Sequence, residues 1–173
     1  MIVRGRCWKF GDDVSTDHII SGKYKFGAID DIRKMLPHVF EELVPGFHEK
    51  VRPGDVIVAG RNFGKGSSRE QAPRLLKMLG IGAVIARSFS HIFFRNAINV
   101  GLPVVVAREL PRIAEQGDLM VVDLAAGVVV DETKGFSERF PPYPGFALEV
   151  LSEGGMVEYV RRRGVPPWRA GRG

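Results

Sequence analysis

Between positions 60 and 70 the chain reads Gly-Arg-Asn-Phe-Gly-Lys-Gly-Ser-Ser-Arg-Glu, which gathers three glycines, two hydroxyls and a guanidinium into one turn. Backbone N–H groups at a helix start, together with Arg69, can hold a carboxylate, and Ser67 and Ser68 place hydroxyls beside it. The chemistry is that of an anion site with a potential base inside it. The run Asp55-Val56-Ile57-Val58-Ala59 reads as a buried strand, and Ser67-x-x-Glu70 has capping-box spacing, so the path is strand, glycine turn, helix start. Pro73 would sit too deep in a helix capped at Ser67, which moves the regular helix to about 72–79. A P-loop is excluded by spacing, because Lys65 precedes the last glycine. The same residues also fit a purely structural turn whose serines only cap a helix.

Two further stretches could carry chemistry. Asp12, Asp13 and Asp17 stand beside His18, but their spacing specifies no closed metal site, and His38, His48 and His91 are scattered. Asp17 or His18 could orient a group on a partner, or the stretch could be a turn that satisfies its own backbone. In Phe93-Phe94-Arg95-Asn96-Ala97-Ile98-Asn99, Arg95 and Asn99 share one helix face and Phe94 and Ile98 are expected to be buried.

These residues need positioning elements. The period predicts a strand near 2–9, short helices at 29–36 and 38–43 separated by Pro37, a strand at 55–59 and a helix in the seventies. A strand at 82–86, a helix at 90–99 and a strand at 103–106 follow. That β-α-β-α-β order implies parallel strands with right-handed crossovers. After Asp118 the strands 119–124 and 127–130 predict a small β-rich layer against the α/β part, and 146–151 predicts a short helix. The expected organisation is one domain over 1–163 with a basic tail at 164–173.

At 173 residues, 45% hydrophobic and 26% charged, the composition is that of a soluble globular domain. No apolar stretch reaches membrane-span length, and the start lacks a signal-peptide layout, so a cytoplasmic location is expected. Cys7 is the only cysteine, which excludes an internal disulfide or an iron–sulfur site built by this chain alone; it reads as a buried hydrophobe. The net charge of +5 resides in Arg161, Arg162, Arg163, Arg169 and Arg172, and the preceding residues balance at twenty of each sign. Nucleic acid is therefore not expected as a partner, although Trp168 could stack on one.

Thr16-Asp17-His18, Gly66-Ser67-Ser68-Arg69-Glu70 and Phe94-Arg95-Asn96-Ala97-Ile98-Asn99, seen in this order, resemble the small subunit of the 3-isopropylmalate dehydratase and homoaconitase family, itself similar to the swivelling domain of aconitase. The resemblance runs from about Arg4 to Val106, with weaker support to about Arg162. It implies an α/β, layered β/β/α swivelling fold with a mixed sheet. It also implies a heterodimer or heterotetramer in which a large subunit carries a [4Fe-4S] cluster and this chain closes over the site. By the same resemblance Ser67 is the catalytic base, Asp17 holds a catalytic group of the large subunit at the site edge, and Ser68 and Arg69 bind a substrate carboxylate. The reaction implied is dehydration and rehydration of a small hydroxy di- or tricarboxylic acid, with leucine biosynthesis as the pathway. Phe26 stands where relatives taking an extra carboxylate carry arginine, which favours an isopropyl group, whereas Lys23 or Lys25 could replace that arginine. The alternatives are a homoaconitase subunit, a subunit acting on citraconate or dimethylmalate, and an RNA-binding module.

Overall fold

The computed structural model describes residues 1–24, 31–166 and 169. Strand β1 (Ile2–Lys9) is the pivot of the architecture because it changes partner along its length. Ile2 to Arg6 pair antiparallel with β5 (Leu119–Asp123), and Cys7 to Lys9 pair parallel with β2 (Val56–Ala59). From β2 the parallel set continues through β3 (Ala83–Ala86) to β4 (Val104–Val106). On the other side β5 leads into β6 (Val128–Asp131) and β7 (Phe136–Arg139), so one seven-stranded sheet runs β4-β3-β2-β1-β5-β6-β7. The expected β-rich layer is therefore an extension of the main sheet and not a separate one; the shared strand lets it curl over.

Burial patterns explain the curl. All four residues of β2 and of β3 are buried, as required of strands covered on both faces, whereas β5 and β6 alternate buried and half-buried positions. Ile57, Ala59, Val84 and Ala86 pack with Leu75, Leu76, Phe93 and Ala97 on the helical side. Val56, Val58, Ala83 and Ile85 pack with Met120, Val122 and Val129 of the antiparallel strands. The layers are helix, parallel sheet and antiparallel sheet, the β/β/α order expected.

In chain order the α-helices are α1 (Thr16–Ile19), α2 (Phe47–Lys50), α3 (Gln71–Met78), α4 (His91–Val100), α5 (Leu110–Ile113), α6 (Gly145–Ser152) and α7 (Met156–Arg163). The two helices expected around Pro37 are instead one 3₁₀ segment, Ile32–His38, with Pro37 inside it. A ring lacking an N–H is tolerated in a short 3₁₀ piece, where few backbone bonds are lost. On α4 the fully buried stripe is Phe93 and Ala97, while Phe94 and Ile98 are only partly covered, one position off the expected register. Arg95 and Asn99 are both exposed, as their spacing predicts.

The basic end is partly structured. Arg161, Arg162 and Arg163 form the last turn of α7, where cations complement the helix dipole, and they pair with Glu158 at 2.7 Å and with Glu153 at 2.6 and 3.4 Å. Three of the five arginines that carry the net charge are thus already matched by acids. Trp168 lies outside the described residues. Among the described residues no helix is long and apolar enough to cross a membrane.

Candidate active site

The glycine turn joins β2 to α3 at the carboxyl ends of the parallel strands, the usual location of ligand sites in such sheets. Loops following β1 and β3 grip it from both sides. The Gly60 and Gly64 amides donate to the carbonyls of Gly11 and Val14, and the Phe63 amide donates to that of Ser88. Phe63 is fully buried, edge-on to Phe93 at 5.2 Å and to Phe89 at 6.0 Å. This hydrophobic anchor in mid-turn leaves the residues after it at the surface. Gly64 has φ +78° and Gly66 φ +108°, backbone conformations that favour glycine.

The two motifs that spacing singled out, joined by contacts 49 to 52 residues apart, meet here. The Thr16 hydroxyl, buried, donates to the Ser67 carbonyl at 3.3 Å, and the Thr16 amide donates to the Lys65 carbonyl at 2.9 Å. Asp17 pairs with Arg69 at 2.5 Å, and the same guanidinium donates to the Ile20 carbonyl at 3.0 Å. Arg69 keeps only 11% of its side chain exposed, and its Nε meets no acceptor among the described residues. In this chain the guanidinium is therefore directed to Asp17 and the loop after α1, where sequence reading expected it free to meet substrate. The Asp17 side chain, 60% exposed, keeps an open edge.

Ser67 and Ser68 are exposed, and no hydrogen bond involves their hydroxyls among the described residues. The amides of Ser67, Ser68 and Glu70 likewise meet no acceptor among the described residues. The capping box expected from Ser67 to Glu70 does not form: Glu70 itself occupies the N-cap of α3, without a side-chain cap, because the Arg69 amide turns back onto the Ser67 carbonyl. A capping box does occur in α1. There Ser15 Oγ accepts from the His18 amide at 3.1 Å, and His18 Nδ1 accepts from the Ser15 amide at 3.0 Å. With Nδ1 accepting, the ring proton of neutral His18 is on Nε2. Sequence reading missed this cap because histidine replaces the usual Glu or Gln at its third position.

Beside Arg69 a small cleft is lined by Ile20, Ser21, Tyr24, Met35, Arg69 and Gln71. Lys23, expected near substrate, instead pairs with Glu41 at 2.9 Å. Glu41 also accepts from Tyr24 Oη at 2.7 and 3.0 Å and meets His38 Nδ1 at 2.8 Å. The hydrogen bonds from Lys23 and then Tyr24 draw its carboxyl down to about 2. No motif points to Glu41, because two of its three partners, Lys23 and Tyr24, lie across a loop from it. Lys25 and Phe26 lie outside the described residues. Cys7 is fully buried, and burial pushes its thiol up to about 12, which suits a core hydrophobe and not a nucleophile.

Among the described residues no group of three or more His, Cys, Asp or Glu side chains could hold a metal ion. The site thus consists of an exposed hydroxyl, free amides and an Asp–Arg pair at one end of an α/β sheet, open on the side away from the chain.

A fold and site of this kind belong to the swivelling domains of the aconitase type, and the family model for the aconitase C-terminal domain matches residues 39–109. The chain is 53% identical over 160 residues to 3-isopropylmalate dehydratase small subunit 2 of Archaeoglobus fulgidus, covering 92% of this chain and 95% of that protein. It is 48% identical over 159 residues to the methanogen homoaconitase small subunit of Methanothermobacter thermautotrophicus, covering 91% and 90%. The crystal structure of 3-isopropylmalate dehydratase from Methanocaldococcus jannaschii superposes with a TM-score of 0.85 at 44% identity, covering 95% and 96% of the two chains. The chain belongs to the 3-isopropylmalate dehydratase small-subunit family.

Proposed function

We propose that this chain is the small subunit of a hydro-lyase that interconverts 2-isopropylmalate and 3-isopropylmalate by dehydration and rehydration, in leucine biosynthesis. The observation that carries the reading is the meeting of Thr16-Asp17 with Ser67-Ser68-Arg69 at the carboxyl end of the sheet, in a member of this family. A large subunit is the partner, and its [4Fe-4S] cluster, bound there, supplies a Lewis acid for the leaving hydroxyl.

The residues of this chain do the rest. Ser67 takes the proton from the carbon next to a carboxylate. A serine hydroxyl is a weak base, so the negative charge on Oγ needs nearby donors, and the free amides of Ser67, Ser68 and Glu70 are suited to that task. Ser68 holds the substrate carboxylate beside the Arg69 guanidinium, whose charge is already shared with Asp17, and the open edge of Asp17 meets a group of the large subunit. Ile20, Met35 and Tyr24 line the cleft with largely apolar surface, which fits a branched alkyl group better than a third carboxylate. The expected arginine position at Phe26 supports the same preference.

The test is Ser67→Ala in the assembled two-subunit enzyme. Loss of general-base action is expected to lower kcat by about 10³-fold. The melting temperature should stay within experimental error, since Ser67 is exposed and its hydroxyl unbonded. Turnover left intact would defeat the proposal. The second reading, a homoaconitase subunit, rests on the 48% identical methanogen relative. Turnover of homocitrate with none of isopropylmalate would establish it instead.

A further inference from the structure

Three side chains from two segments on either side of residues 25–30 converge on one carboxylate, that of Glu41. Lys23 and Tyr24 belong to the 3₁₀ turn Gly22–Tyr24, while His38 closes the 3₁₀ segment Ile32–His38 and Glu41 follows it. Tyr24 stacks on His38 with ring centroids 4.0 Å apart, and the Lys23 ammonium lies 5.0 Å from the Tyr24 centroid. Glu41 receives Lys23 Nζ, Tyr24 Oη and His38 Nδ1 within 3.0 Å. Tyr24 also forms part of the cleft wall with Ile20, Met35 and Arg69. The ammonium therefore sits one aromatic ring away from the cleft.

That location matters for selectivity. Arg69 supplies positive charge to the cleft, and Asp17 already offsets it at 2.5 Å. A free lysine at the rim would add a second cation able to receive an extra substrate carboxylate. An apolar side group gains nothing from such a cation, whereas a carboxylate buried without a partner is heavily penalised. Whichever charge state the rim presents thus decides which side group is rejected.

We propose that Glu41 is a specificity-determining positioning residue, which withholds the Lys23 ammonium from the substrate cleft and so keeps its rim without net charge for an apolar substrate side group. The inference rests on the function proposed above and deepens it. Glu41 touches no substrate; it acts through Lys23. Tyr24 and His38 make the device stiff, because they occupy the remaining lone pairs of the carboxylate and hold it against the turn that carries Lys23.

The experiment compares kcat and KM for 3-isopropylmalate and for homocitrate in the assembled enzyme. Its variants are the wild type, Glu41→Gln, Glu41→Asp and Lys23→Met/Glu41→Gln. Glutamine keeps an acceptor for Tyr24 and loses the charge. The ratio of kcat/KM for homocitrate to that for isopropylmalate should rise about fivefold in Glu41→Gln, the size of effect one partly exposed ion pair carries, mainly through a lower KM for homocitrate. In the double variant the ratio should return to near the wild-type value, and Glu41→Asp, which keeps the charge, should stay close to wild type. A merely structural Glu41 would not make the gain depend on Lys23. An unchanged ratio in Glu41→Gln, or an equal rise in the double variant, overturns the inference while leaving the enzyme assignment standing. A wild-type enzyme without isopropylmalate turnover would overturn the assignment itself, and the inference with it.

Discussion

Two acidic side chains buried in this protein titrate in opposite directions, and the difference lies in their donors. Asp55 is pushed up by burial, but bonds from Trp8 Nε1, the Arg52 amide and Arg6 more than reverse this and hold its carboxyl below the usual range. Asp131 has no exposed surface and one carboxyl oxygen without a partner. Burial pushes its carboxyl up, the Lys134 amide pulls it down, and the neighbouring Asp118 adds to the rise. A raised native value means that the folded state holds the proton more tightly than the unfolded chain does. Stability from this group is then complete below the ordinary value near 3.8 and declines as the pH climbs through the raised one. Asp131→Asn removes that decline and can still accept from the Lys134 amide. The variant should match the wild type near pH 4 and exceed it in stability at pH 8, read from urea denaturation at both values. A variant less stable at pH 8 would show that the ionised pair is better accommodated than its unpartnered oxygen implies.

At the scale of elements, the site depends on a turn that bends sharply and stays close to α4. A side chain at position 64 would need a positive φ and would place its Cβ 2.2 Å from the Phe93 ring. Left-handed backbone costs a non-glycine residue about 1–2 kcal/mol, and overpacking a dense core adds about 1–3 kcal/mol. Gly64→Ala is therefore expected to destabilise by about 2–5 kcal/mol. Gly135→Ala, also at positive φ but with open space around it, should cost only the backbone part. Equal losses for the two in chemical denaturation would remove Phe93 from the account. The elements also show where sequence reading works. The strands β2 and β3 were legible because strands buried on both faces are runs of apolar residues, and the edge strand β4 is likewise an all-valine run. Helix α7 was not, because half of Met156–Arg163 is charged and it buries only Tyr159. Strand β7 was equally hidden, since Phe136–Arg139 carries no buried residue and is defined by its pairing to β6.

For the whole molecule, the site is open on the side facing away from the chain. Activity should therefore require the large subunit, appear saturably as that subunit is added, and vanish when a chelator strips the assembled enzyme of iron. The isolated chain should show no turnover, and its melting temperature should be the same with and without chelator. Turnover by the isolated chain, or a chelator-dependent shift in its melting, would contradict the division of labour.

How much of this was written in the linear order of residues depends on the range of the interactions. Apolar periodicity, the glycines of the turn and the pairing of hydroxyls with a guanidinium act over a few neighbours, so the α/β order and an anion-site candidate at Ser67, Ser68 and Arg69 could be read directly, and the motifs at 16–18, 66–70 and 94–99 together placed the family. The bonds that make them a site could not. Thr16 to Ser67 and Arg69 to Ile20 span 51 and 49 residues, and the tether from Lys23 to Glu41 crosses a loop. Such contacts exist only once the strands have stacked, because no local backbone preference carries information about a partner so far along the chain. The tertiary structure alone therefore decided that Arg69 turns to Asp17, that no serine caps α3, and that Lys23 is paired with Glu41.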